Sequence, residues 1–182
     1  MNKILYFIFL FLISIEMSAQ ADTEHWFAPI YDTYINPKPS YDNSLNGDFL
    51  YLSTDFPDDF TVDIYNGDNL LERTIIRKEA PKYIKIPSNI VTTINPSDTF
   101  KVGKKGLHLI GPQKFYAGLR ILRGPDAEII TSKGLAAVGT DFLVFMAEHA
   151  LQSESFTSQV NIIATENNTT VKKEAIIPTS YF

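Results

Sequence analysis

Apolar and polar positions alternate along much of this chain, in short runs bounded by turn residues. Phe60, Val62 and Ile64 interleave with Thr61, Asp63 and Tyr65, and further on Phe115, Ala117, Leu119 and Ile121 mark a second run of the same kind. A period of two sends successive side chains to opposite faces, so both runs predict half-buried strands, the first over Phe60–Asn66 and the second over Phe115–Leu122. The same pattern predicts strands at Asp48–Thr54, Leu70–Arg77, Lys82–Pro87 and Leu107–Ile110, with shorter ones at Trp26–Ile30, Ile90–Ile94 and Phe100–Val102. Asn66-Gly67-Asp68-Asn69 lies between two alternating runs and predicts a hairpin. Pro57-Asp58-Asp59 and Gly103-Lys104-Lys105-Gly106 have turn chemistry. Phe142–Met146 is apolar on both faces, which suits a central strand. Val160, Ile162 and Ala164 then alternate ahead of a turn at Asn167-Asn168.

Nowhere does a helical period hold over ten residues, and the best helical segment is a turn or two within Ser132–Ala137. About nine or ten short strands predict an all-β fold, a two-layer antiparallel β-sandwich. Its core is expected to hold Val62, Ile64, Leu119, Ile121, Phe142, Val144, Val160 and Ile162. Residues 22–46 are different: they are aromatic and proline-rich, and Pro37 and Pro39 forbid a central strand there. The sandwich domain is placed at 47–182. Near its end, either Ala175–Ile177 forms a last short strand or the domain is a fragment of a longer protein.

The first 21 residues stand outside the fold. Lys3 precedes an unbroken apolar run from Ile4 to Ile13, and the segment closes on Ser18-Ala19-Gln20-Ala21. That is the layout of a secretory signal peptide, cleaved after Ala19 or Ala21. The run is too short to span a bilayer, and no second apolar stretch of spanning length follows. The expected destination is the cell surface, the medium or the periplasm.

Composition narrows the function. Of the 182 residues, 45% are hydrophobic and 13% aromatic, which excludes a disordered chain. The net charge is −5 and the 16 basic residues are scattered, so no nucleic-acid partner is expected. Cysteine is absent, which removes disulfides, thiolate metal sites and cysteine nucleophiles, and suits a bacterial envelope protein.

Candidate chemistry is sparse. Asp55, Asp58, Asp59 and Asp63, with Asp68 nearby, form the densest acidic patch, yet no EF-hand spacing occurs and turn roles fit better. His25, His108 and His149 are the only histidines. A zinc site combining them with Glu24 or Glu148 lacks any HExxH pattern, so solvated or hydrogen-bonded histidines are expected. No G-x-S-x-G elbow is present, and Gly103–Gly106 is too short for a phosphate loop. Neither metal nor cofactor is expected, and no catalytic residue. The aromatics of the N-terminal segment, Trp26, Phe27, Tyr31 and Tyr34, are the candidate binding residues, since flat rings stack well on ligands.

Two stretches resemble a known family. They are Phe115-Tyr116-Ala117-Gly118-Leu119-Arg120 with Ala127 to Phe142, and Val160-Asn161-Ile162-Ile163-Ala164-Thr165-Glu166-Asn167-Asn168-Thr169-Thr170-Val171. Together they resemble the IgGFc-binding protein N-terminal domain as it occurs in large surface proteins of gliding Bacteroidetes, with Val138 where the family usually has Leu. A weaker likeness lies at His25–Pro29. The resemblance implies that Gly139 makes a turn with positive φ and that Asn167 and Asn168 close a hairpin. It implies a non-catalytic extracellular module for adhesion or ligand recognition, with a surface polymer, glycan or protein as ligand. The alternative is a carbohydrate-binding accessory domain or carbohydrate-active hydrolase using the N-terminal aromatics and an acidic pair.

Overall fold

The computed structural model describes residues 20–31, 47–93, 101–123, 126–144 and 159–172. The expected signal peptide ahead of Gln20, and Tyr34, Phe100, Met146, Glu148, His149 and Ala175–Ile177, lie outside the described residues. The elements in chain order are β1 (Asp22–Phe27), β2 (Ile30–Tyr31), β3 (Gly47–Ser53), β4 (Phe60–Asn66), β5 (Asn69–Ile76), β6 (Lys82–Ile86), α1 (Ser88–Val91), β7 (Thr92–Thr93), β8 (Leu107–Arg123) and β9 (Asp126–Thr131). A 3₁₀ turn follows at Gly134–Ala137. The chain is all-β, and its main sheet is antiparallel and curled, with seven strands in the order β5-β4-β8-β3-β6 and with β1 and β9 also on β8. A parallel pair of β2 and β7 is separate.

β8 organises the molecule. The sequence predicts two strands here, Leu107–Ile110 and Phe115–Leu122, but one 17-residue strand covers both. Its first part pairs with β1 and β4, and its second part with β3 and β9. Ser132 N–H donates to Ala117 O beside the Asp22–Phe115 pair, so β9 and β1 follow one another along one side of β8. Along the other side β3 is followed by β4, and the β4–β5 hairpin returns the chain to β6 beside β3. Gly67 takes a φ of 56° at the first central position of that hairpin, which a residue without Cβ reaches freely.

The sheet creases where β8 loses its ladder to β3 and β4, between Ile110 and Tyr116. On the β1 side Asp22 pairs with Phe115 and Glu24 with Ile110, so extra residues of β8 bulge at the same level. Bulges bend a strand and increase its twist. Pro112 has no N–H to donate, and the Phe115 ring lies 3.1 Å from where a Cβ on Gly111 would stand, so a larger side chain would have to push that ring aside. Thr54 Oγ1 donates to Lys114 O at 2.7 Å, and Lys78 N–H donates to Phe56 O at 2.8 Å, fastening the loops over the crease.

The inward positions from both sides of the crease meet in one core. Leu50 and Leu52, Val62 and Ile64, Leu107 and Leu109, and Phe115, Ala117, Leu119 and Ile121 are all buried there, joined by Phe27, Ile76, Ile86 and Val91. Half of the expected core is therefore in place: Val62, Ile64, Leu119 and Ile121. The other half is not. Phe142 is 69% exposed, and Val144, Val160 and Ile162 also face solvent. Residues 141–144 and 159–172 form no strand and pair with none of the sheet's strands.

Three shorter expectations also change. Ser88–Val91 is a helical turn that leaves only Thr92–Thr93 as strand, where Ile90–Ile94 was expected to be extended. Lys101–Gly106 is irregular and Val102 fully exposed, so no strand enters the glycine-lysine turn from that side. Gly139 does not have a positive φ, whereas Gly134 does at 57°. The hairpin expected at Asn167 and Asn168 is not formed: Asn168 turns at φ 62°, but no strand flanks it.

Candidate binding surface

The alternation that buries His25 and Phe27 turns Glu24 and Trp26 outward from β1. Strand register sets their neighbours. Trp26 lies opposite His108, which lies opposite Tyr65, giving one row across β1, β8 and β4. Glu24, Ile110, Asp63 and Arg73 form the next row. The indole and imidazole rings stack with centroids 5.1 Å apart and planes 6° from parallel. The Tyr65 ring is tilted towards His108 at 6.3 Å. Glu24 Oε1 and His108 Nε2 hydrogen-bond diagonally between the rows at 2.6 Å, which fixes the imidazole beside the indole.

Asp63 anchors the far end of the second row. Arg73 donates to its two oxygens at 2.6 and 2.8 Å, and the Tyr65 hydroxyl donates to it at 3.3 Å. The guanidinium's hydrogen bonds hold the Asp63 carboxyl below its ordinary range. A shallow open depression beside this pair is lined by Thr61, Asp63, Arg73, Ile110, Gly111 and Pro112. Among the described residues its only carboxylate is Asp63, already committed to Arg73.

The other acidic residues disperse. Asp59 reaches Arg77 at 3.4 Å, and Asp55 accepts from the Tyr116 hydroxyl at 3.1 Å. Among the described residues no three potential metal ligands converge. His25 and His108 occupy opposite faces of the sheet. His25 is fully buried, its Nε2 2.7 Å from Phe115 O, and desolvation lowers its pKa against the opposing pull of backbone hydrogen bonds and Asp22.

Of the candidate binding residues, Trp26 alone stands on this surface. Phe27 is 3% exposed and packs in the core, where it cannot stack on a ligand. Tyr31 is half-buried in β2, and its backbone exchanges two hydrogen bonds with the side chain of Gln159. Tyr34 lies outside the described residues. His108 and Tyr65 were not foreseen as partners of Trp26. The signal that finds them is the outward parity of each strand together with the register, and only the parity can be read from sequence. No helix among the described residues is long and apolar enough to cross a membrane. No family model, curated protein or solved structure matches the chain.

Proposed function

We propose that this protein is an exported, non-catalytic recognition module of a bacterial surface or secreted protein, its curled sheet serving as a sandwich-like scaffold. The observation that carries this reading is the outward row Trp26–His108–Tyr65 with Glu24 beside it. Rings held by neighbouring strands offer flat apolar area at little entropic cost, and Glu24 supplies a carboxylate acceptor for hydroxyl or amide donors. Such a face suits a surface polymer, a glycan or a protein. The resemblance to IgGFc-binding N-terminal domains supports the same reading. The alternative, a carbohydrate-active hydrolase, calls for two carboxylates converging across a cleft. The Asp63 depression offers one, and it is paired.

The test is a glycan-array and polymer pull-down with the mature chain, the Trp26→Ala and Tyr65→Ala variants, and an assay for released reducing ends. Capture of a ligand that both variants weaken tenfold or more, with unchanged melting and no released ends, is the expected result. Capture indifferent to both variants, or turnover of the captured polymer, overturns it.

A further inference from the structure

The half of the sheet beyond the crease presents a second outward face of different chemistry. Tyr83, Tyr51, Gly118 and Thr131 lie opposite one another in one row, and Lys85, Phe49, Arg120 and Ile129 in the next. Tyr83 is 71% exposed and Tyr51 42%, and their rings pair at 6.2 Å with planes 29° apart. Gly118 leaves a notch in the middle. A Cβ built there would meet nothing closer than Ile130 O at 3.8 Å. Along β8 the notch is flanked by Tyr116 and Arg120, each two residues away, and across it by Tyr51 and Thr131.

The charge carried by the rows of this face is basic. Its outward rows carry Lys85 and Arg120 and no Asp or Glu. Asp55, just past the end of β3, accepts the Tyr116 hydroxyl. Lys85 Nζ stands 6.0 Å from the Phe49 ring centroid, and Nε of Arg120 is buried without a hydrogen-bond partner among the described residues. Arg120 lies opposite Phe49 and has no carboxylate partner among the described residues; its guanidinium matches a ligand carboxylate, which arginine binds through a planar fork of donors.

We propose that the Gly118 notch binds an acidic glycan, a polymer of uronic acid units. The carboxylate of one unit pairs with Arg120. Its ring occupies the space a side chain at 118 would fill, and an adjacent unit lies on the Tyr51–Tyr83 pair. The tyrosine pair favours a sugar over an acidic peptide, because it offers flat rings to the apolar face of a pyranose. This site is separate from the Trp26 row, so either can fail without the other.

Titration of the full mature chain with oligogalacturonate tests it, with neutral dextran oligomers and poly-glutamate as comparisons. Oligogalacturonate is expected to bind with an affinity that falls as salt rises. Arg120→Gln should weaken it tenfold or more, Arg120→Lys should restore part of the loss, and Gly118→Val should block it with the melting temperature held. Lys101→Gln, the same charge change at an exposed position outside the strands, should leave it intact. Equal binding by wild type and Arg120→Gln, or an equal loss with Lys101→Gln, overturns the proposal. So does poly-glutamate binding as tightly as oligogalacturonate, which would make the face a general polyanion surface.

Discussion

The carboxylate of Asp22 accepts a hydrogen bond from the backbone N–H of Leu135 at 2.8 Å, joining the first strand to a turn 113 residues further on. Gly134, just before Leu135, packs directly against the Asp22 side chain with a φ of 57°.

Gly134→Ala should therefore be costly. Its Cβ would collide with Cβ of Asp22 and stand 2.7 Å from Oδ2, on a backbone that L residues rarely adopt. A loss of about 1–3 kcal/mol is expected by urea denaturation. Gly139→Ala meets only the tip of the exposed Phe142 ring at 3.3 Å, and should change stability by less than about 0.5 kcal/mol. The reverse order would restore to Gly139 the role that the family resemblance implied.

The same contact bears on processing. Ala21 is buried and Asp22 pairs with Phe115, so cleavage after Ala21 would put a charged N-terminus at the start of β1. If the N-terminal segment is removed as we propose, the remaining chain should begin at Gln20. Intact-mass measurement of the recovered protein checks this, and a mature form beginning at Asp22 with undiminished stability would contradict it.

Phe115 stands at the crease, fully buried, with its ring over Gly111 and against His25 at 4.6 Å. Phe115→Ala should cost about 3–5 kcal/mol. Phe142→Ala, at an exposed position, should cost less than about 0.5 kcal/mol. Parallel thermal melts of the two variants separate a core built on β8 from one built on residues 142–146.

Buried His25 predicts a stability that falls on acidification. Its folded pKa is lowered, chiefly by desolvation, while the unfolded chain takes up the proton near the ordinary value of 6.5. The unfolded state thus binds more protons as pH drops through that value, and stability declines from there down to the folded pKa. One proton gives a slope of at most about 1.4 kcal/mol per pH unit. Urea midpoints between pH 7.5 and 5 should shift downward in the wild type and less in His25→Gln. Equal shifts in both would assign the acid sensitivity elsewhere.

The strands that hold the core were largely legible from local pattern. Phe60–Asn66 is a strand over the whole expected range, Asp48–Thr54 shifts by one residue, and the inward parity of Phe115, Ala117, Leu119 and Ile121 is as the alternation implied. The Gly67-Asp68 turn follows because glycine relieves a steric conflict within four residues. Each of these is a local property, and local physics is written in consecutive residues.

What the sequence by itself determined, then, was the all-β class, the hairpin and which face of each strand is apolar. The tertiary structure alone decided which alternating runs acquire partners. Val160 and Ile162 alternate as well as Val62 and Ile64 do, but they join no strand of the sheet and stay exposed, because alternation fixes which face is apolar and not whether that face meets a partner. It also decided the candidate surfaces. Trp26 meets His108 and Tyr65, and Gly118 meets Tyr51 and Thr131, only through register between strands tens of residues apart. Register is set by the bulge, the crease and the fit of the whole core, and no short stretch of chain contains it.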